Sequence, residues 1–139
     1  MIPSLGLYVH IPFCKQKCVY CDFYSLPRRE EDMDAYVSAL ERQLGQYAHP
    51  ANYIVNSVYF GGGTPSFLGA ERLCRLLRRV RTSFHVSYGA EITLEANPDS
   101  ACDSADLAKL RQTGFNRLSL GMQSACDEEL NALGRVHTM

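Results

Sequence analysis

Short apolar runs and helical patterns alternate along the whole chain. The first run is LGLYVHI (5–11). A helix is predicted over about 30–48, where Met33, Val37, Leu40, Leu44 and Tyr47 recur at spacings of three and four. The second run is YIVNSVYF (53–60), followed by a predicted helix over 70–84 with Leu73, Leu76, Leu77, Val80 and Phe84 on one face. The third run is AEITLE (90–95), with a helix near 103–113 that should stop at Gly114, a residue suited to the position after a helix. The fourth run is FNRLSLGM (115–122), with a helix starting at Asp127 and capping-box spacing between Ser124 and Asp127.

Alternation of this kind predicts an α/β fold of parallel strands joined by helical crossovers. About four βα units are present, half of an eight-unit barrel, which needs about 250 residues. The sequence stops at Met139 as the fourth helix ends. Residues 1–139 are therefore expected to be the N-terminal portion of a longer barrel domain, lacking later strands and any C-terminal domain. An open sheet edge and uncovered apolar surface should follow, with a tendency to aggregate.

The two faces of each run differ. Leu5, Leu7, Val9 and Ile11 oppose Tyr8 and His10. Ile54, Val58 and Phe60 oppose Ser57 and Tyr59, although Asn56 falls on the apolar side. Ile92 and Leu94 oppose Glu91, Thr93 and Glu95. Leu118, Leu120 and Met122 oppose Arg117, Ser119 and Gln123. The apolar faces should meet helices, and the polar faces should line the concave interior. Stability alone would fill that interior with branched apolar residues. A polar lining points to a polar ligand. The rival is an antiparallel sheet with one wet face.

Composition narrows the class. A net charge of −1 gives no reason to expect nucleic acid as partner. No apolar run approaches the ~20 residues that span a bilayer. The opening MIPSLGLYVHIPF lacks a cationic stretch and a cleavage site, so no export signal is expected. Six cysteines would suggest disulfides in a secreted chain. Here Cys14, Cys18 and Cys21 crowd one loop, while Cys74, Cys102 and Cys126 are scattered. The crowded three read as metal ligands in a reducing compartment, the cytoplasm. The scattered three read as small apolar core residues.

The loop HIPFCKQKCVYCDF has spacing Cys-x3-Cys-x2-Cys and leaves the C-terminal end of the first strand. Barrel enzymes carry their chemistry at that end. Zinc usually takes four tetrahedral ligands, and His10 is one candidate for the fourth. A four-iron cluster also usually takes four cysteines, so three would leave one iron open to a ligand. Lys15 and Lys17 either favour the thiolates or are solvated loop charges.

These cysteines match the motif of radical S-adenosylmethionine (SAM) enzymes. LYVHIPFCKQKCVYCDF, YFGGGTPSFL, ITLEANP and GFNRLSLGMQS together resemble the branch that contains HemW haem chaperones and oxygen-independent coproporphyrinogen III oxidases. The resemblance implies a partial (β/α)6 TIM-like barrel. It implies a [4Fe-4S] cluster on Cys14, Cys18 and Cys21, with SAM chelating the open iron. An electron from the cluster would cleave the sulfonium to a 5′-deoxyadenosyl radical. It also implies a haem or porphyrinogen partner and a reductant protein as electron donor.

By the same resemblance, Gly62, Gly63 and Thr64 meet the methionine amino group or its surroundings. A phosphate loop is the rival reading, but no Gly-Lys-Ser/Thr follows. Glu95 would contact a ribose hydroxyl or the amino group, or pair with Arg117. Gln123 would contact SAM. Arg135 would pair with the methionine carboxylate, for which a guanidinium fork is suited, or be a solvated helix-end residue. Tyr8 and Tyr20 would lie beside the cluster and the adenine. His10 is open between core residue, proton carrier and haem contact. Asp22-Phe23 follows Cys21, where oxidases of this branch carry another cysteine two positions on, so a HemW-type haem chaperone is expected rather than an oxidase.

Overall fold

The computed structural model describes residues 2–47, 53–101 and 103–139. Strands β1 (Ser4–Ile11), β4 (Ile54–Gly62), β5 (Val86–Ala96) and β6 (Arg117–Leu120) form one sheet in the order β1-β4-β5-β6. Every pairing is parallel, which removes the antiparallel alternative. Two-residue strands β2 (Phe13–Cys14) and β3 (Leu26–Pro27) pair beside the sheet and close the neck of the cysteine loop. Helices α1 (Met33–Gln46), α2 (Ala70–Ser83), α3 (Ser104–Thr113) and α4 (Asp127–Ala132) complete the alternation. The last residue of the first expected helix and Cys102 lie outside the described residues.

The core forms where the strands' apolar faces meet the helices. Val9, Ile11, Val58, Phe60, Ile92 and Leu94 are buried against Leu73, Leu76, Leu77 and Val80 of α2. Burying one such side chain stabilises the fold by roughly 1.5–3 kcal/mol. Phe60 and Phe115 meet edge to face at 5.1 Å. Asn56 is reconciled with the apolar pattern by a bulge. Leu5 pairs with Val55 and Gly6 with Ser57, so Asn56 is the extra residue. It points outward and donates to Ser4 Oγ at 2.7 Å, while Val55 takes the buried place.

Several element ends depart from expectation. A 3-10 turn at Glu30–Asp32 precedes α1, and Tyr47 is exposed beyond its end. Strand β5 begins at Val86, earlier than the alternation suggests, because Ser87, Tyr88 and Gly89 carry no buried face. Helix α3 stops at Gly114 as expected, with φ 124°. The Gly114 N–H meets the Arg111 carbonyl and the Phe115 N–H meets the Leu110 carbonyl, the 5→2 and 6→1 bonds of a Schellman ending. The expected Ser124–Asp127 capping box does not form. Cys126 is the N-cap of α4, and Ser124 Oγ instead accepts from the Cys126 N–H at 3.0 Å.

Strand β6 is shorter than the fourth run, and its apolar face is bare. Leu118, Leu120 and Met122 are 43%, 50% and 43% exposed, so no helix of the described residues covers them. An apolar groove of about 590 Å3 also flanks β1, lined by Leu5, Leu7, Leu40, Leu44, Tyr53 and Phe84. Both surfaces agree with the expected uncovered apolar area. Among the scattered cysteines, Cys74 is buried in the core, but Cys126 is exposed at the start of α4, contrary to the core reading.

Candidate functional site

The C-terminal ends of the four sheet strands point the same way, and the connections leaving them build one cleft of about 200 Å3. Its walls include Cys14, Cys18, Cys21, Tyr20, Gly62, Gly63, Thr64, Glu95, Gln123 and Arg135. Residues up to 121 positions apart in sequence thus share one surface, because parallel crossovers return every strand in the same direction.

The cysteine loop is pinned at both ends by backbone bonds. The Leu26 N–H donates to the Pro12 carbonyl at 2.6 Å, and the Arg28 N–H to the Cys14 carbonyl at 3.0 Å. The Cys21 N–H closes a tight turn on the Cys18 carbonyl at 3.1 Å. The Gly-rich segment after β4 is laced to the same loop. Gly63 N–H reaches the Ile11 carbonyl and Thr64 N–H the Phe13 carbonyl, each at 2.8 Å. Gly63 is needed for this close approach. A β-carbon there would stand 2.8 Å from the carbonyl oxygens of Pro12 and Phe13 and 2.9 Å from Cys14 Sγ.

The thiols are free, and Cys14 is buried. Burial pushes the Cys14 thiol above its ordinary value, partly offset by the Thr64 hydroxyl, which donates to Sγ at 3.6 Å. The neighbouring lysines do not serve the thiols. Lys15 Nζ lies 3.6 Å from Asp99, and Lys17 Nζ donates to the Phe23 carbonyl at 3.4 Å. Among the described residues, no three His, Cys, Asp or Glu side chains converge as one metal ion requires. Three free thiols line the one cleft, a donor set suited to a thiolate-held metal group. His10 is not a fourth ligand here. Its Nδ1 is bonded to the Tyr8 hydroxyl at 3.0 Å and its Nε2 to the Tyr24 carbonyl at 3.2 Å.

Arg135 is no solvated helix-end residue. Its Nη2 donates to Asn97 Oδ1 at 2.8 Å and to the Gly121 carbonyl at 2.6 Å. Its Nη1 reaches Cys18 Sγ at 3.4 Å and the Tyr20 hydroxyl at 3.5 Å. Its Nε is buried with no partner in the protein. An unmatched buried donor on a guanidinium that lines the cleft marks a group left short of an acceptor by the protein itself.

Glu95 is held from two sides. It accepts from the Tyr59 hydroxyl at 2.6 Å and from the Gly62 N–H at 3.1 Å. That bond, followed by burial, raises the Tyr59 phenol above its ordinary value. The alternative pairing of Glu95 with Arg117 does not occur. Arg117 Nη1 instead reaches Glu91 and Thr93 Oγ1, each at 3.3 Å, because Arg117 stands level with Thr93 in the ladder. Gln123 lies beyond the end of β6 and has φ 67°, a left-handed conformation costing a non-glycine residue about 1–2 kcal/mol. Such strain clusters at ligand sites.

Tyr8 stands apart from the cysteine cleft. It stacks on Tyr59, with ring centres 6.2 Å apart, and lines a side pocket of about 140 Å3 with His10, Phe23, Tyr24, Gly62 and Glu95. Tyr20 sits in the cleft mouth, about half exposed. Asn97 was not singled out by the sequence, yet it bridges Arg135 and Thr64. An asparagine directly before Pro98 at a strand end is the only local signal it carries.

Comparison with known proteins adds the context of this cleft. The radical SAM superfamily description matches residues 8–139. The chain is 41% identical over 138 residues to "Heme chaperone HemW" of Escherichia coli (strain K12), covering 98% of this chain and 36% of that protein. It is 41% identical over 139 residues to "Radical S-adenosyl methionine domain-containing protein 1, mitochondrial" of Bos taurus, covering 96% of this chain and 30% of that one. A solved structure titled "Coproporphyrinogen III oxidase (HemN) from Escherichia coli is a Radical SAM enzyme" superposes with a TM-score of 0.88 at 34% identity, over 97% of this chain and 31% of that chain. The chain thus spans about a third of the length of these relatives.

Proposed function

The chain belongs to the radical SAM superfamily, and on that premise we propose that it is part of a radical SAM core holding a [4Fe-4S] cluster and SAM. In this reading residues 1–139 are one portion of a longer core domain. Cys14, Cys18 and Cys21 hold three corners of the cluster. The observation that carries the proposal is that three free thiols and a guanidinium with an unmatched buried donor share one cleft.

The protein's own groups have separable tasks. Gly62, Gly63 and Thr64 bring polar backbone to the ligand's amino acid end. Arg135 receives its carboxylate. Glu95, already fixed by Tyr59 and Gly62, offers its remaining acceptor capacity to a ribose hydroxyl or amino group. Gln123 and Tyr20 line the same cleft, and Tyr8 lines the side pocket that shares Phe23, Gly62 and Glu95 with it. When bound, the cluster supplies the electron that reductively cleaves the SAM sulfonium.

For the whole protein, the reading we favour is a haem chaperone of the HemW type, with haem as partner and a reductant protein as electron source. It is supported by the similarity to HemW proteins and by Asp22-Phe23 after the third cysteine. Phe23 stands 70% exposed at the edge of the cleft and offers no thiol there. The second reading, oxygen-independent coproporphyrinogen III oxidation, is supported by the likeness to HemN. Full-length protein reconstituted anaerobically separates them. The chaperone reading expects haem binding, seen as a Soret band on titration, and no protoporphyrinogen from coproporphyrinogen III with SAM and reductant. Formation of protoporphyrinogen would overturn it.

A further inference from the structure

One side chain ties the two halves of the cleft together. Asn97 Oδ1 accepts from Arg135 Nη2 at 2.8 Å, and Asn97 Nδ2 donates to Thr64 Oγ1 at 3.2 Å. Thr64 Oγ1 passes its own hydrogen to Cys14 Sγ at 3.6 Å. Arg135 Nη1 meanwhile donates to Cys18 Sγ. An unbroken hydrogen-bond path therefore runs from one cysteine to another through Thr64, Asn97 and Arg135. Asn97 is the only member of it whose amide must present oxygen to one side and nitrogen to the other.

The backbone prepares this position. Asn97 follows β5 directly in extended conformation, and its carbonyl is held by the Ser100 N–H and the Ser100 hydroxyl, each at 3.1 Å. A β-carbon at Gly121 would come within 3.1 Å of Asn97 Oδ1, so the loop after β6 leaves the amide its room. With Asn97 Oδ1 and the Gly121 carbonyl both engaging Nη2, the guanidinium plane is set and its buried Nε is left free.

We propose that Asn97 is a positioning residue for carboxylate recognition: with the Gly121 carbonyl it occupies Nη2 and fixes the Arg135 guanidinium plane, so that the Nη1 edge, held only by long contacts to Cys18 and Tyr20, reads the carboxylate of the bound ligand. The inference rests on the SAM-binding reading above and adds Asn97, a residue of the cleft wall that acts through Arg135. Orientation of the guanidinium matters because a charge-assisted hydrogen bond needs its N–H vector aimed at the acceptor.

The test measures binding, in the cluster-loaded full-length protein under anaerobic conditions. Equilibrium dialysis compares SAM with decarboxylated SAM, which lacks only the carboxylate. Wild-type protein should favour SAM. Asn97→Ala should lower affinity for SAM by about tenfold and leave decarboxylated SAM within about twofold. Asn97→Asp keeps the shape and serves as the second variant. Its charge occupies the Arg135 fork, so the preference for SAM should fall there too, while the melting temperature of the cluster-free protein stays unchanged. Equal weakening of both ligands in the two variants, or full retention of the preference, would overturn the proposal. A wild-type protein that binds SAM without preferring it would instead sink the assignment of Arg135 to the carboxylate. A wild-type protein that binds neither would sink the SAM reading itself.

Discussion

Replacing Gly63 by alanine tests whether the cysteine loop and the Gly-rich segment form one rigid unit. The added carbon would sit 2.8 Å from two backbone carbonyl oxygens and 2.9 Å from Cys14 Sγ. An ordinary carbon–oxygen contact is longer by over half an ångström, and backbone oxygens cannot swing aside. Overpacking of this sort costs roughly 1–3 kcal/mol. The cost falls where Cys14 leaves β2, so cluster loading should suffer more than the core. Gly89→Ala is the matched control, because a β-carbon there meets nothing within 4 Å. Urea unfolding followed by circular dichroism and iron content per chain are the two readouts. Gly63→Ala should lose roughly 1–3 kcal/mol and at least half its iron, whereas the control keeps its iron and shifts by under about 1 kcal/mol. Unchanged stability together with full iron in Gly63→Ala would refute the close-packed junction.

Cys18→Ser should abolish cluster retention after desalting, read as loss of the brown absorbance near 400 nm, while far-ultraviolet circular dichroism stays unchanged, because Cys18 is not in the core. Tyr59→Phe removes the hydroxyl that bonds the part-buried Glu95 and should cost about 0.5–1.5 kcal/mol in chemical denaturation. Asn116→Ala should cost about 1–3 kcal/mol, because its side chain accepts from the Ile92 N–H at 2.7 Å and donates to the Ala90 carbonyl at 2.9 Å. Leu77→Ala, at the centre of the α2 face, should cost roughly 2–5 kcal/mol, whereas Arg117→Ala, an exposed pair partner, should stay under about 1 kcal/mol.

Strands and helices were legible wherever apolar spacing was regular. The α2 face from Leu73 to Val80 and the β5 alternation at Ile92 and Leu94 both sit in the core as their periods imply. Legibility failed where local chemistry overrides period. Asn56 looked misplaced because a bulge adds a residue to one strand, which no alternation count can detect. The Ser124 spacing suggested a cap, but the helix begins later and Cys126 takes that place. Leu118, Leu120 and Met122 have the pattern of a packed face, yet pattern does not say whether a partner is at hand.

The cleft was legible through its motifs and less so through its joints. Cysteine spacing and the Gly-Gly-Gly-Thr run announce chemistry by residue type alone. The role of Arg135 in holding Cys18 and Tyr20 depends on a fold-back of the chain across 117 positions, which spacing cannot show. Asn97 is a single polar residue among others, and only the positions of Thr64 and Arg135 single it out. Tyr8 belongs to the same strand face as His10, yet its ring leans on Tyr59 and lines the neighbouring pocket.

Electron paramagnetic resonance of the reduced, anaerobically reconstituted full-length protein, recorded with and without SAM, tests the cluster assignment most directly. A [4Fe-4S]+ signal that changes shape on SAM addition is the predicted result, since three cysteines leave one iron free to exchange its ligand. A signal that SAM leaves untouched, or a colourless protein carrying only zinc, would contradict it.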